Sequence, residues 1–139
     1  TQSRSSAASD VYKRQMQTFS LTTVSDIVKD EAENRFSRDE EVLVSGSGVV
    51  AIGTVLGKIT ASGKYAPLAP GASTGAQNAA AIILETADAT GADRLVVTLK
   101  RHAQVVVQSL VWPDGITAPQ KVAALAALEA MGIVARTGV

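Results

Sequence analysis

From Val42 to Leu68 the chain reads VLVSGSGVVAIGTVLGKITASGKYAPL, short β-branched stretches cut every few residues by glycine. No other pattern in it restricts the fold as much. β-Branched residues suit extended backbone, and glycine at such intervals stops a helix before it can grow. Val42–Val44, Val49–Ile52, Val55–Ile59 and Tyr65–Leu68 therefore read as short strands. Ala61-Ser62-Gly63-Lys64 is a hairpin turn in which Gly63 can take positive φ. Pro67 and Pro70 keep their piece at a sheet edge or in a loop. Ala69–Asn78 reads as a loop, Ala79–Leu84 as a buried strand and Glu85–Asp93 as a turn. Arg94–Lys100 and His102–Val111 give two further strands, joined tightly at Lys100-Arg101. This spacing is that of a compact module of many short strands.

The texture changes once more near the end. Thr117-Ala118-Pro119-Gln120 starts a helix: Thr117 caps, Gln120 stands at the capping-box position, and Pro119 sits in the first turn. Lys121–Met131 has high helix propensity, and Gly132 suits the left-handed position that ends a helix. The spacing predicts a helix over 118–131 with Val122, Leu125, Leu128 and Met131 as its apolar stripe. Ile133–Val134 returns to strand-like residues.

The opening of the chain has none of this patterning. Residues 1–15, TQSRSSAASDVYKRQ, carry no apolar periodicity and no hydrophobic signal region, and Met16 follows directly. They are expected to be a non-native, disordered extension. The whole chain has 13 basic and 13 acidic residues; over Met16–Val139 the count is 10 basic and 12 acidic, a net of −2. Residues 17–28 favour extended structure, with Phe19, Leu21, Val24, Ile27 and Val28 as apolar positions. Asp26–Glu41 holds seven acidic and three basic residues, and its only large apolar group is Phe36. A segment so poor in apolar groups, 16–41, reads as either a flexible arm or a segment that folds on a partner. The folded domain is then expected over 42–139.

Composition and motif spacing exclude several functions. The 139 residues fit one domain. With no cysteine there is no disulfide, thiolate nucleophile or cysteine-ligated zinc. Zero net charge argues against a nucleic-acid binder that relies on a basic surface. Apolar runs fall far short of the ~20 residues needed to span a bilayer. Gly46-x-Gly48 lacks the third glycine of a dinucleotide fingerprint and opens no helix. Gly53-Thr-Val-Leu-Gly57-Lys58-Ile59 is one residue short of a phosphate-binding loop and has Ile where Ser or Thr belongs. These glycines read as turn and bulge residues. His102 is the sole histidine, too few for a metal cluster or a triad, and Glu40/Glu41 lie outside any apolar setting that could raise a pKa. No catalytic, cofactor-binding or metal-ligating set is expected. Trp112-Pro113, directly after an apolar strand, is a core element or an interface anchor.

Several pieces now fall in a familiar order. Gly53–Ile59, then Gly63-Lys64-Tyr65-Ala66-Pro67-Leu68, then the Ala79–Leu84 run resemble the lambda-type head decoration proteins of tailed phages. The turn at Asp88–Asp93, the strand Leu95–Leu99, the His102–Leu110 segment, Val111-Trp112-Pro113 and the Ala-rich helix ending in Ile133-Val134 continue the likeness, which spans about Phe19 to Arg136. The arm, with Asp26–Glu41, is longer and more charged than the family arm, and the C-terminal helix is unusually regular and Ala-rich.

The resemblance implies a mainly β, β-clip-like subunit with one C-terminal α-helix and a flexible N-terminal arm, α+β overall. It implies a homotrimer on local three-fold positions of the expanded capsid, cementing the shell against internal DNA pressure. The partners would be its own copies and the major capsid protein, with no enzymatic activity, cofactor, direct nucleic-acid contact or membrane. The setting would be the virion surface, after synthesis in the bacterial cytoplasm. The arm would add a strand to the capsid protein, with Phe19, Leu21, Val24 and Ile27 as its contacts, and Trp112 and Pro113 would anchor core or trimer interface. Two rivals stand beside this reading: a small β-clip or barrel domain that binds a ligand, and another structural virion component such as a tail or fibre protein.

Overall fold

The computed structural model describes residues 22–33 and 36–137. Phe19, Leu21 and residues 1–15 lie outside the described residues. A single-turn helix α1 (Val24–Ile27) leads into β1 (Val28–Glu31). Then follow β2 (Arg38–Leu43), β3 (Gly48–Val50), β4 (Val55–Lys58), β5 (Tyr65–Pro67), β6 (Ala79–Ile83), β7 (Ala87–Ala89), β8 (Arg94–Leu99) and β9 (Ala103–Val106). A 3-10 turn (Val107–Ser109), the helix α2 (Ala118–Ala130) and β10 (Ile133–Arg136) complete the chain. The protein is mostly β with one C-terminal helix of length, as the glycine-cut texture predicts.

Five strands close a small barrel in the order β2-β5-β4-β6-β8. A separate sheet has the order β1-β9-β10, and β3 pairs with β7 as a two-stranded ribbon. The β4–β5 hairpin closes at the expected place: Ile59 N–H donates to Lys64 O at 2.8 Å, and Gly63 has φ +73°. Gly57 serves a different need. A Cβ there would stand 2.3 Å from Ala76 O, so the 69–78 loop can lie on β4 only because this residue has no side chain.

The core has two parts that share strands. Leu43, Leu56, Tyr65, Ala81, Ile83 and Val96 belong to one cluster, with Val50, Ala87 and Ala89 of the ribbon. Val55, Ile82, Leu84, Leu99, Val105 and Ile133 belong to the other, with Ala124 and Leu128 of the helix. Neighbouring residues of β4 and β6 thus serve opposite faces: Leu56 and Ile83 on one side, Val55 and Ile82 on the other. A strand buried on both faces needs continuous apolar residues, which is why Ala79–Leu84 shows no polar alternation.

The structure departs from the expectations at several places. Val24–Ile27, expected to be extended, forms the helical turn α1. An arm to Glu41 is not what the structure shows. Ile27 is fully buried in the helix-side core, β1 pairs antiparallel with β9, and β2 pairs along six residues with β8 from Arg38↔Leu99 to Leu43↔Arg94. The reason is that over Arg38–Glu41 backbone pairing and ion pairs hold β2 in the barrel, with Leu43 the one fully buried apolar residue at its end. Glu85–Asp93 contains β7, whose Ala87 and Ala89 are small enough to pack under the ribbon. The 94–99 and 103–106 strands do not form a hairpin. His102 takes φ +48°, and β9 leaves for the sheet with β1 and β10. The Val122 stripe also fails, because an i+3 series drifts about 60° per step around a helix. The buried residues are Ala124 and Leu128; Val122 is 67% exposed, while Leu125 and Met131 flank the buried line.

Candidate interaction surface

Charge is concentrated where β2 meets the β8–β9 connection, and it is spent on internal pairing. Arg38 holds Glu31 through two hydrogen bonds of 2.8 and 2.6 Å. Lys100 donates to Glu41 at 2.7 Å and lies 3.6 Å from Asp39. Arg101 donates to the Asp39 carboxylate and, at 2.5 Å, to Phe36 O, with its guanidinium 5.2 Å from the Phe36 ring. The Arg101 hydrogen bond holds the Asp39 carboxyl below its ordinary range. Burial pushes Lys100 down, but its hydrogen bonds to Glu41 and Tyr65 outweigh that and leave it raised. Beneath this network lies Ser37, wholly buried. Its Oγ accepts from Ala32 N at 2.9 Å and donates to His102 O at 2.8 Å, and its carbonyl accepts from Lys100 N at 2.8 Å. Three carboxylates of the charge run, Glu31, Asp39 and Glu41, are structural ties, a use that apolar spacing along the sequence does not reveal. His102 is exposed, with its ring 5.4 Å from that of Phe36.

The apolar surface lies elsewhere. Gly53 has φ +91°, and a Cβ on it would meet Ser109 O at 2.7 Å and Ile27 Cδ1 at 3.1 Å. That lack of side chain lets the Val107–Ser109 turn close on β4. Val111 N then donates to Gly53 O at 2.9 Å, and Val55 N donates to Val111 O at 3.2 Å. Trp112 and Pro113 are thereby carried to the rim of a depression of about 270 Å³. Val49, Val50, Ala51, Pro67, Leu68 and Val111 form the rest of its apolar lining. Val49 is 69% and Val111 40% exposed. Trp112 is half-buried against the helix-side core, with the Lys121 ammonium 6.0 Å from its ring. Its volume falls below the roughly 300–1,000 Å³ of sites that enclose drug-sized ligands. It suits a protein surface laid against it.

The expected contact residues do not converge. Val24 is half-buried and Ile27 wholly buried, both on the helix-side core; Trp112 and Pro113 belong to the depression. Val49 and Val111 were not singled out from the sequence, because an outward valine in a strand reads the same as an inward one. Among the described residues no three His, Asp or Glu side chains gather to hold a metal ion. No helix among them is long and apolar enough to cross a membrane.

No curated protein sequence matches the chain. A family model does. It runs from residue 17, through the barrel, the ribbon and the Trp112 rim, to residue 133 at the start of β10. That match covers most of the chain and contains every described strand from β1 to β9, so the protein belongs to the family of the bacteriophage lambda head decoration protein D.

Proposed function

We propose that the chain assembles as a homotrimer on local three-fold positions of the expanded phage capsid and cements the shell against internal DNA pressure. The observation that carries this reading is the family match over residues 17–133, which gives the chain a structural, capsid-decorating role. The family is one of structural capsid proteins, not of enzymes. The exposed depression supports self-association: Val49, Val111, Trp112 and Pro113 offer a mostly apolar surface, with Asp114 at its rim, for a neighbouring subunit.

The capsid contact is assigned to the chain that precedes the core. Phe19 and Leu21 would pair with an edge of the major capsid protein, while Val24, half-buried in α1, and the buried Ile27 moor the segment to the body. One such strand binds weakly, since ordering it costs entropy. Three on one trimer raise the effective concentration and make departure slow. A ligand that binds only the expanded shell stabilises that state. The protein would be made in the host cytoplasm and reside on the virion surface.

The test is sedimentation equilibrium of Met16–Val139 together with co-sedimentation on expanded empty capsids, unexpanded capsids and tails. A trimer retained only by expanded capsids is expected. A stable monomer at micromolar concentration, or retention by tails alone, overturns the reading.

A further inference from the structure

The rim that carries Trp112 also carries the chain's only Asp-Gly pair, Asp114-Gly115. Aspartate followed by glycine is prone to a particular reaction when the backbone allows it. The Gly115 amide nitrogen attacks Asp114 Cγ and forms a C–N bond. The amide proton and the carboxyl hydroxyl leave as one molecule of water, closing a five-membered imide. Water then adds to either imide carbonyl. Opening at the Asp114 main-chain carbonyl leaves the chain running through Cβ and Cγ, an isoaspartyl linkage. The net change is an isomerisation, so no oxidant, reductant or other co-reactant is needed.

Three conditions govern whether a folded protein permits this step. The carboxyl must not be held by other groups, the next amide must not be locked in a hydrogen bond, and no side chain may crowd the attack. Asp114 is exposed and its carboxyl takes no hydrogen bond or ion pair among the described residues. Gly115 N–H donates to none of them either; the turn is closed one residue later, by Ile116 N–H to Pro113 O at 3.3 Å. Gly115 has φ +76° and nothing within 4 Å of where a Cβ would stand.

The other described aspartates fail at least one condition. Asp26 is held by Thr23, Asp39 by Arg101, Asp88 by Thr90, and Asp93 by Lys64 and Ser45 N. Asp30 lies within β1, paired with Gln104, and Glu31 follows it. We propose that Asp114 is a spontaneous modification site, at which the folded protein converts aspartate to isoaspartate. The inference does not rest on the capsid role. Its consequence is local: an added backbone methylene two residues after Trp112 and three before the Thr117 cap reshapes the rim of the apolar depression.

The experiment ages the full chain, folded, at neutral pH and physiological temperature. Isoaspartate is located by peptide mapping and by methyl transfer from an isoaspartyl methyltransferase. Isoaspartate is expected to rise with time at 114 while the five other described aspartates stay at baseline. The signal should be lost in Asp114→Glu, whose longer side chain would have to close a six-membered ring. It should be reduced in Gly115→Ala, with circular dichroism confirming that this strained variant still folds. The emission of Trp112, the sole tryptophan, should shift in the converted fraction. No isoaspartate at 114 in the folded chain, or equal amounts at the other aspartates, overturns the assignment. Conversion that leaves the Trp112 emission unchanged overturns the claim that the rim is reshaped.

Discussion

Gly57 and Ser37 show how much a single position can carry without any chemistry of its own. Gly57 sits in β4 where Ala76 backbone atoms fill the place of a Cβ, at 2.3 to 2.7 Å. Gly57→Ala must push the 69–78 loop off the barrel and is expected to cost about 1–3 kcal/mol or more. Urea denaturation would show this as a lowered midpoint with an unchanged slope. Ser37, wholly buried, bridges Ala32 N and His102 O. Ser37→Ala strands both groups and should destabilise by about 1–3 kcal/mol, whereas Ser37→Thr should retain part of the bridge. Both positions were present in the sequence only as ambiguous signs. Gly57 lies in a run that imitates a phosphate loop, and Ser37 lies in a charge run that looks solvated. What each residue touches is supplied by parts of the chain far away, Ala76 and His102, so local pattern could not tell these roles apart.

The helix was legible as a helix but not as a face. Its start is closed by the capping box that Thr117 and Gln120 announce, with Gln120 N donating to Thr117 Oγ1 at 3.3 Å and Thr117 N to Gln120 Oε1 at 2.9 Å. Ala124 and Leu128 point to the core and Val122 to solvent. Leu128→Ala is expected to cost about 2–5 kcal/mol and Val122→Ala to fall within about 0.5 kcal/mol of neutral, both read by thermal or chemical melts. Equal costs would restore the i+3 stripe.

Ion pairs on β2 and on the Lys64 turn contribute to the pH dependence. Asp39, through the Arg101 hydrogen bond, and Asp93, through the Lys64 hydrogen bond, both have lowered folded-state values. Their contribution to stability is complete above the unfolded range near about pH 4 and disappears as pH falls through the lowered folded values. Lys100 runs the other way. Its folded value is raised, so its contribution is complete below about pH 10 and is lost as pH climbs through that raised value. Melts across pH should therefore fall off at both ends, and Arg101→Gln should shrink the acid-side loss.

Among the described residues, three strand systems and the helices α1 and α2 share two core clusters, and the open apolar surface lies on the rim between barrel and ribbon. If subunits meet there, charge on that rim should separate them. Val49→Lys and Val111→Lys, both at exposed positions, are expected to leave the melting of the monomer nearly unchanged while shifting sedimentation from trimer to monomer. Unaltered trimers in the double variant would place the subunit contact on another face. The exposed Val134 on β10 and Leu95 on β8 are the controls, since neither lines the depression.

The sequence by itself determined the β-rich class, the helix with its cap, the hairpin at Gly63, and a family order strong enough to name. These are local properties: turn chemistry, propensity and the spacing of apolar runs act over a few residues and survive without a partner segment. Tertiary structure alone decided that Asp26–Glu41 is largely body and not arm, that β8 and β9 part company at His102, and that Ala124 and not Val122 faces inward. Each of these depends on pairing across more than sixty residues or on which side of an element meets the core, as when Arg101 closes on Asp39 and Phe36 O. Backbone hydrogen bonds and ion pairs leave no apolar signature over Arg38–Glu41, so the place of that part of β2 in the barrel became visible only when β8 was laid beside it.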